Sequence, residues 1–265
     1  MLLPEPERVV RDGEWHFRVR TADGRPTQPW EAIVPIFAVG DAPEIRCIGT
    51  GFFIHTSGIV ATAAHVINER QSKEGLAVLH YLGDNQIAFR FAYGASCHTQ
   101  ADVGALFLRA QRKTGGDLLK NRVLSLTERI PPPNSNIFTW AFPRMQTTLT
   151  DTTASISVAP QFIAGTMVKE YRDGRDSVLL PGSCYEVRLK LSGGTSGGPC
   201  LDEQGNVFAI NTSGIDDGQA NDISFVSHVQ RIGGLAVPMY AGSSNETPSE
   251  TTISKLIQKG EIIVR

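Results

Sequence analysis

Leu191-Ser192-Gly193-Gly194-Thr195-Ser196-Gly197-Gly198-Pro199-Cys200 is the stretch on which the reading of this chain turns. Four glycines and a proline surround Ser196. Ordinary strands and helices avoid that composition, because each glycine carries backbone entropy that folding must remove. The run suits a backbone that takes unusual φ/ψ values and approaches something closely. If that something is a carbonyl carbon, Ser196 is a nucleophile, and the N–H groups of Gly194 and Ser196 form its oxyanion hole. A glycine-rich loop with a capping serine has the same composition, so the rest of the chain has to decide.

Immediately upstream, Tyr185 to Leu191 alternates between an apolar and a charged face, the pattern of a half-buried strand. Downstream come a turn at Asp202-Glu203-Gln204-Gly205, the strand Val207 to Thr212, a polar loop over 213–221 and a strand from Ile223 to Val229. Further out, short apolar runs at Ala32 to Val39, Cys47 to Ile54, Ile59 to Thr62, Leu76 to Leu82, Gln86 to Tyr93 and Ala101 to Leu108 predict more strands. Pro35 predicts an edge or a bulge in the first of these. A second series starts at Ile137 to Phe142 and continues near 152–158, 161–169 and 177–180. Between the two series, residues 111–133 end in Pro131-Pro132-Pro133 and read as a crossover.

Two residues on these strands complete a chemistry for Ser196. A serine hydroxyl is too weak an acid to attack an acyl carbon unaided and needs a base within hydrogen-bond reach. His65 follows the strand Ile59 to Thr62 and two small residues, and imidazole has the proton affinity for that work. Asp102 opens an apolar strand and supplies the carboxylate that fixes the imidazole tautomer. Asp84 and Asp117 lie on loops and are weaker alternatives, and His98 reads as a surface residue. The order His65, Asp102, Ser196 is that of chymotrypsin, not of subtilisin or the α/β-hydrolases.

With these residues in place, the chain resembles the trypsin-like serine proteases of the chymotrypsin fold, and within them the bacterial high-temperature-requirement (Deg-type) protease domain. Thr62-Ala63-Ala64-His65, Gly49-Thr50-Gly51-Phe52, Asp102-Val103-Gly104-Ala105-Leu106, Thr195-Ser196-Gly197-Gly198-Pro199 and Ala209-Ile210-Asn211-Thr212 are similar to that family's motifs, in the same order over about residues 30–240. The resemblance implies an all-β fold: two six-stranded antiparallel β-barrels with the active site in the cleft between them. His65 and Asp102 would come from the first barrel and Ser196 from the second. It implies a serine endopeptidase working through an acyl-enzyme, with protein or peptide as substrate and no cofactor. Thr212 would lie near the Asp102–His65 pair, and the backbone of Thr212 to Gly214 would pair with substrate as an added strand. The organisation expected is an extension over 1–28 with a hairpin from Val9 to Arg20, a first barrel over 29–118, a crossover over 119–134, a second barrel over 135–240 and a tail over 241–265. That tail would hold a linker, a short helix from Ile253 to Lys259 and a last strand, Glu261 to Val264.

The departures are as informative. Val66 follows His65 where secreted digestive members carry a cysteine, and Thr195 precedes Ser196 where zymogen-forming members carry an aspartate. Activation by a freed N-terminus is therefore not expected. The tail after Ser243 is short, and no PDZ domain is expected in it. The substrate pocket is expected from Lys190, Gly193, Thr212, Ser213, Gly214 and Ser224, with Gly214 and Ser224 leaving it open. Lys190 would favour an acidic side chain there, whereas its place on the face of Arg188 in an alternating strand predicts solvent exposure, and Asp216, Asp217 and Asp222 carry the opposite sign. Cleavage preference stays open.

Composition bounds the remaining classes. A formal charge of −2 lacks the basic excess that nucleic-acid binding needs. No run reaches the ~18 apolar residues of a membrane span. The N-terminal MLLPEPERVV has prolines and glutamates where a secretory signal needs an apolar core, which predicts a cytoplasmic chain. Cys47, Cys97, Cys184 and Cys200 show no CxxC spacing, so free thiols are expected rather than a metal site. Missing zymogen features and the unusual first 28 residues keep an alternative in view: a protease switched on by a protein activator, or an interaction module with a latent site.

Overall fold

The computed structural model describes residues 19–41, 45–83, 86–98, 100–112, 116–143, 146–149, 154–175, 182–214, 223–239 and 249–265. The hairpin expected from Val9 to Arg20 falls mostly outside these residues, as do the strand expected at 177–180 and most of the loop at 213–221. The described chain starts with β1 (Val19–Arg20) and β2 (Pro26–Thr27), paired antiparallel, and a one-turn helix α1 (Pro29–Ala32).

β3 (Ile33–Val39), β4 (Ile45–His55), β5 (Ile59–Thr62), β6 (Gly75–Gly83), β7 (Gln86–His98) and β8 (Val103–Leu108) close into a barrel, in the order β3-β4-β5-β8-β7-β6. A short helix α2 (Ala64–Asn68) follows β5. Pro35 fits β3 because the ladder to β6 covers only Ile36 to Val39, so its missing N–H falls beyond that ladder, and a bulge follows at Ile36/Phe37. β4 is buried continuously from Ile48 to Ile54. Such a strand reads as an unbroken apolar run, because both of its faces are covered.

β9 (Asn136–Ala141), the hairpin β10 (Gln146–Leu149) and β11 (Ala154–Ser157), then β12 (Gln161–Tyr171), β13 (Cys184–Arg188), β14 (Pro199–Leu201), β15 (Val207–Gly214) and β16 (Ile223–His228) follow. Six of them close a second barrel, β12-β13-β16-β15-β14-β9. Its interior is a separate apolar cluster around Ile137, Met167, Tyr185, Val187, Phe208 and Val226. The larger cluster fills the first barrel and runs on through Phe138, Trp140, Leu201 and Ile210 to the C-terminal segment, so one core spans both barrels. These two closed antiparallel barrels are the architecture of the chymotrypsin fold.

The crossover is bound on several sides rather than free. Leu126 bridges Val207 and Val264 in parallel, and Thr21 bridges Leu124. After a 3₁₀ turn (Val229–Gly234), β17 (Ala236–Met239) pairs with β18 (Ser249–Thr252), and α3 (Ile253–Gln258) is capped by the Thr252 hydroxyl, which accepts from Lys255 N. Residues 249–250, expected in a linker, therefore belong to a strand. The last strand expected at 261–264 is reduced to an isolated bridge at Val264, with Leu126 N donating to Ile263 O and Arg265 N to Leu126 O.

Candidate active site

His65 sits in the first turn of α2, which sequence periodicity could not reveal in five residues. Asp102 stands directly before β8 with φ +47°, a left-handed backbone that aspartate tolerates better than most residues. That conformation brings both carboxylate oxygens onto one target. Oδ2 lies 2.8 Å from His65 Nδ1, and Oδ1 accepts the His65 backbone N–H at 2.8 Å. The carboxylate therefore holds the ring and its backbone together. The Asp102 side chain is 17% exposed and that of His65 44%, so the far ring nitrogen can meet solvent or a ligand.

Two tight turns follow one another here, and Ser196 is the second residue of the second. Thr195 N donates to Ser192 O at 3.0 Å, and Gly198 N donates to Thr195 O at 3.1 Å. The third residues of these turns, Gly194 and Gly197, have φ of +89° and +82°, so both turns are of type II. A Cβ on Gly194 would also lie 2.6 Å from Phe142 O. The Thr195 hydroxyl donates to Ser192 O at 2.6 Å, doubling the bond that closes the first turn. The position that resemblance marked as lacking the zymogen aspartate is thus used locally. With these bonds made, the N–H groups of Gly194 and Ser196 have no acceptor among the described residues.

The loop is held from behind by both barrels. From the second, Gly197 N donates to Asn211 O and Asn211 N to Gly198 O, while Asn211 Nδ2 reaches Thr139 Oγ1 at 2.7 Å and Thr195 O at 3.3 Å. From the first, Thr50 N donates to Ser196 O at 2.8 Å. Sequence reasoning placed Thr50 and Asn211 in motifs but gave neither side chain a task.

Ser196 Oγ donates to Thr212 O at 3.4 Å, a long bond, and no hydrogen bond joins it to His65. The structure thus brings His65 and Asp102 together directly, with Ser196 bonded to Thr212 instead. The Thr212 hydroxyl turns into the second barrel, toward Ile210 O and Ser227 Oγ, and no bond joins it to Asp102. β14 leaves β15 at Ile210, so the backbone of Thr212, Ser213 and Gly214 continues past it along β16. Lys190 and Gly193 are exposed. Ser224 is 1% exposed and its hydroxyl donates to Leu189 O at 2.6 Å, so it lies beneath the surface that Lys190 and Gly193 present.

Comparison with known proteins agrees with this architecture. The chain is similar in structure to the Rv3671c protease from M. tuberculosis in its active form, at 18% identity, with 76% of this chain and 78% of that one covered and a TM-score of 0.55. It is also similar to Deg5, at 16% identity over 76% and 85% of the two chains, with a TM-score of 0.53. At these identities the likeness is one of fold. No curated protein matches the sequence. A family model described as a trypsin-like peptidase domain matches residues 49–210, which run from the strand behind His65 through the loop around Ser196, and the chain belongs to that family.

Proposed function

We propose that this chain is a serine endopeptidase in which Ser196 attacks the scissile carbonyl, His65 takes the Ser196 proton and passes it to the leaving amine, and Asp102 holds His65 in the required tautomer. The observation that carries this reading is the two-oxygen grip of Asp102 on His65, beside a loop with two unengaged N–H groups. Asp102 accepts from Nδ1, so Nε2 is the nitrogen left to receive the proton. Attack forms the Oγ–C bond and moves the carbonyl electrons onto oxygen, where the Gly194 and Ser196 N–H groups stabilise them. Collapse expels the amine with the proton from His65, and water then repeats the sequence on the acyl-enzyme. Substrate would lie along Thr212 to Gly214 as an added strand. Lys190 and Gly193 would border its side chain, and Ser224 would support Leu189 from beneath. The chain would act in the cytoplasm.

A fluorophosphonate probe tests this. Wild-type protein should be labelled at Ser196, and Ser196→Ala should lose labelling and turnover by on the order of a million-fold, as in other triads. Folded wild-type protein that resists the probe, alone and with cell extract, would remove the enzymatic reading.

One observation favours a second reading. The Ser196 hydroxyl contacts Thr212 O, and no hydrogen bond joins it to His65. A protein activator that brings the hydroxyl onto His65 would make this a switched protease, and labelling that rises on adding extract distinguishes it.

A further inference from the structure

We propose that the hydroxyl of Thr50 is the positioning group of the oxyanion loop, a clasp from the first barrel that fixes the peptide plane behind Gly194. This inference rests on the protease reading for its consequence and on geometry alone for its existence.

Thr50 is fully buried in β4 and every polar atom it has is engaged across the barrel boundary or beside it. Its Oγ1 donates to Gly194 O at 2.7 Å and accepts from Phe142 N at 3.1 Å. Its N donates to Ser196 O at 2.8 Å, and its O accepts from Thr62 Oγ1 at 2.8 Å. One residue of the first barrel thus binds the loop on both sides of Thr195, the strand end at Phe142, and the segment leading to His65.

The side-chain bond is the one with leverage. The peptide joining Gly194 to Thr195 is pinned at both ends, its N–H by Ser192 O and its C=O by Thr50 Oγ1. Fixing that plane anchors Gly194 on its carbonyl side, one Cα from the N–H that faces the oxyanion, and so narrows the positions that N–H can take. The restraint comes from the opposite barrel, which ties the oxyanion loop to correct docking of the two barrels.

Thr50→Val removes the hydroxyl at constant shape, and Thr50→Ser retains it without the methyl group. In wild type, amide hydrogen exchange over residues 191–200 should be slow. Thr50→Val should speed it by roughly threefold to tenfold, the effect of the one of its two hydroxyl bonds that reaches the loop, and Thr50→Ser should restore it. Fluorophosphonate labelling and kcat should fall by roughly 10- to 100-fold in Thr50→Val, less than the loss of an oxyanion donor outright, with KM changed little and Thr50→Ser near wild type. Wild-type exchange and labelling in Thr50→Val would overturn the clasp, as would Thr50→Ser behaving like Thr50→Val. If Thr50→Val does not fold, Thr50→Ser beside Thr50→Ala decides on the same readouts. If exchange responds as stated while wild type never reacts with the probe, the clasp stands and the protease reading fails.

Discussion

A Cβ on Gly197 would fall 2.0 Å from Thr62 Oγ1 and 2.3 Å from Thr50 O. The turn that carries Ser196 therefore threads against the strand end that leads to His65, closer than any side chain allows. Gly197→Ala should destabilise the fold, with ~1–2 kcal/mol from the left-handed backbone and ~1–3 kcal/mol from forced displacement. Gly193→Ala is the control, since nothing lies within 4 Å of a Cβ there and its φ is outside the left-handed region. Thermal denaturation followed by circular dichroism should show a clear loss for the first and almost none for the second. A wild-type midpoint for Gly197→Ala would show that the two segments can part at no cost.

Asp102→Asn keeps the size of the side chain and changes its hydrogen-bond character. Asp102 accepts two bonds, one from the His65 ring and one from its backbone. An amide accepts through oxygen only. If oxygen keeps the backbone bond, the NH₂ group faces Nδ1 and drives the proton to Nε2, where it blocks the base. Turnover should fall by about 10⁴-fold while the circular dichroism spectrum is retained. Loss of tenfold or less would mean that Asp102 does not set the tautomer.

Cys47, Cys97 and Cys200 are poor nucleophiles in this fold. Burial pushes the Cys47 thiol up to about 12 and raises Cys97, with Asp102 adding to the latter, and Cys200 is raised and fully buried. Iodoacetamide at pH 8 should therefore leave native Cys200 unmodified and fluorophosphonate labelling within about twofold. Mass spectrometry of the alkylated protein checks both. Labelling abolished by iodoacetamide would place a thiol in the reaction.

Legibility in the sequence followed range. Strand runs, turn glycines and the motifs around His65, Asp102 and Ser196 are local patterns, and the resemblance those motifs carry implied the two-barrel arrangement. What escaped depends on partners far apart in the chain. The Thr50 hydroxyl meets Gly194 at a separation of 144 residues and Phe142 at 92, and alternation within β4 cannot say which barrel that hydroxyl faces. Asn211 lies in a strand whose apolar neighbours advertise only burial, and its reach to Thr139 and Thr195 appears only once β14 and β15 are paired. The residues after Glu261 have strand composition, yet the adjacent crossover offers them a single bridge.

His80 gives the fold a sensitivity to acid that is separate from the candidate site. It is buried in the first barrel, 4.6 Å from the Phe53 ring, with Nδ1 3.2 Å from Arg90 Nη1 and Nε2 3.3 Å from Glu31 O. Arg90 can only donate, so Nδ1 accepts and Nε2 carries the proton to Glu31 O. The Arg90 guanidinium is itself buried, bonded to Asn121 Oδ1 and Arg109 O. Burial, and then the Arg90 charge, bring the His80 pKa down from 6.5 to about 4. As pH falls below 6.5 the unfolded chain takes up this proton before the folded one does, so the unfolded state binds more protons across the window from 6.5 to 4. Stability from His80 is complete above that window and is lost on descending through it, by roughly 3 kcal/mol in all. His80→Gln retains a donor and an acceptor but does not titrate. Urea unfolding at pH 7 and pH 4.5 should show a smaller loss of stability in the variant than in wild type. His55 and His228, both lowered by burial, act in the same direction in both proteins and cancel in the comparison. Equal losses in the two proteins would mean that His80 can accept its proton without leaving the barrel.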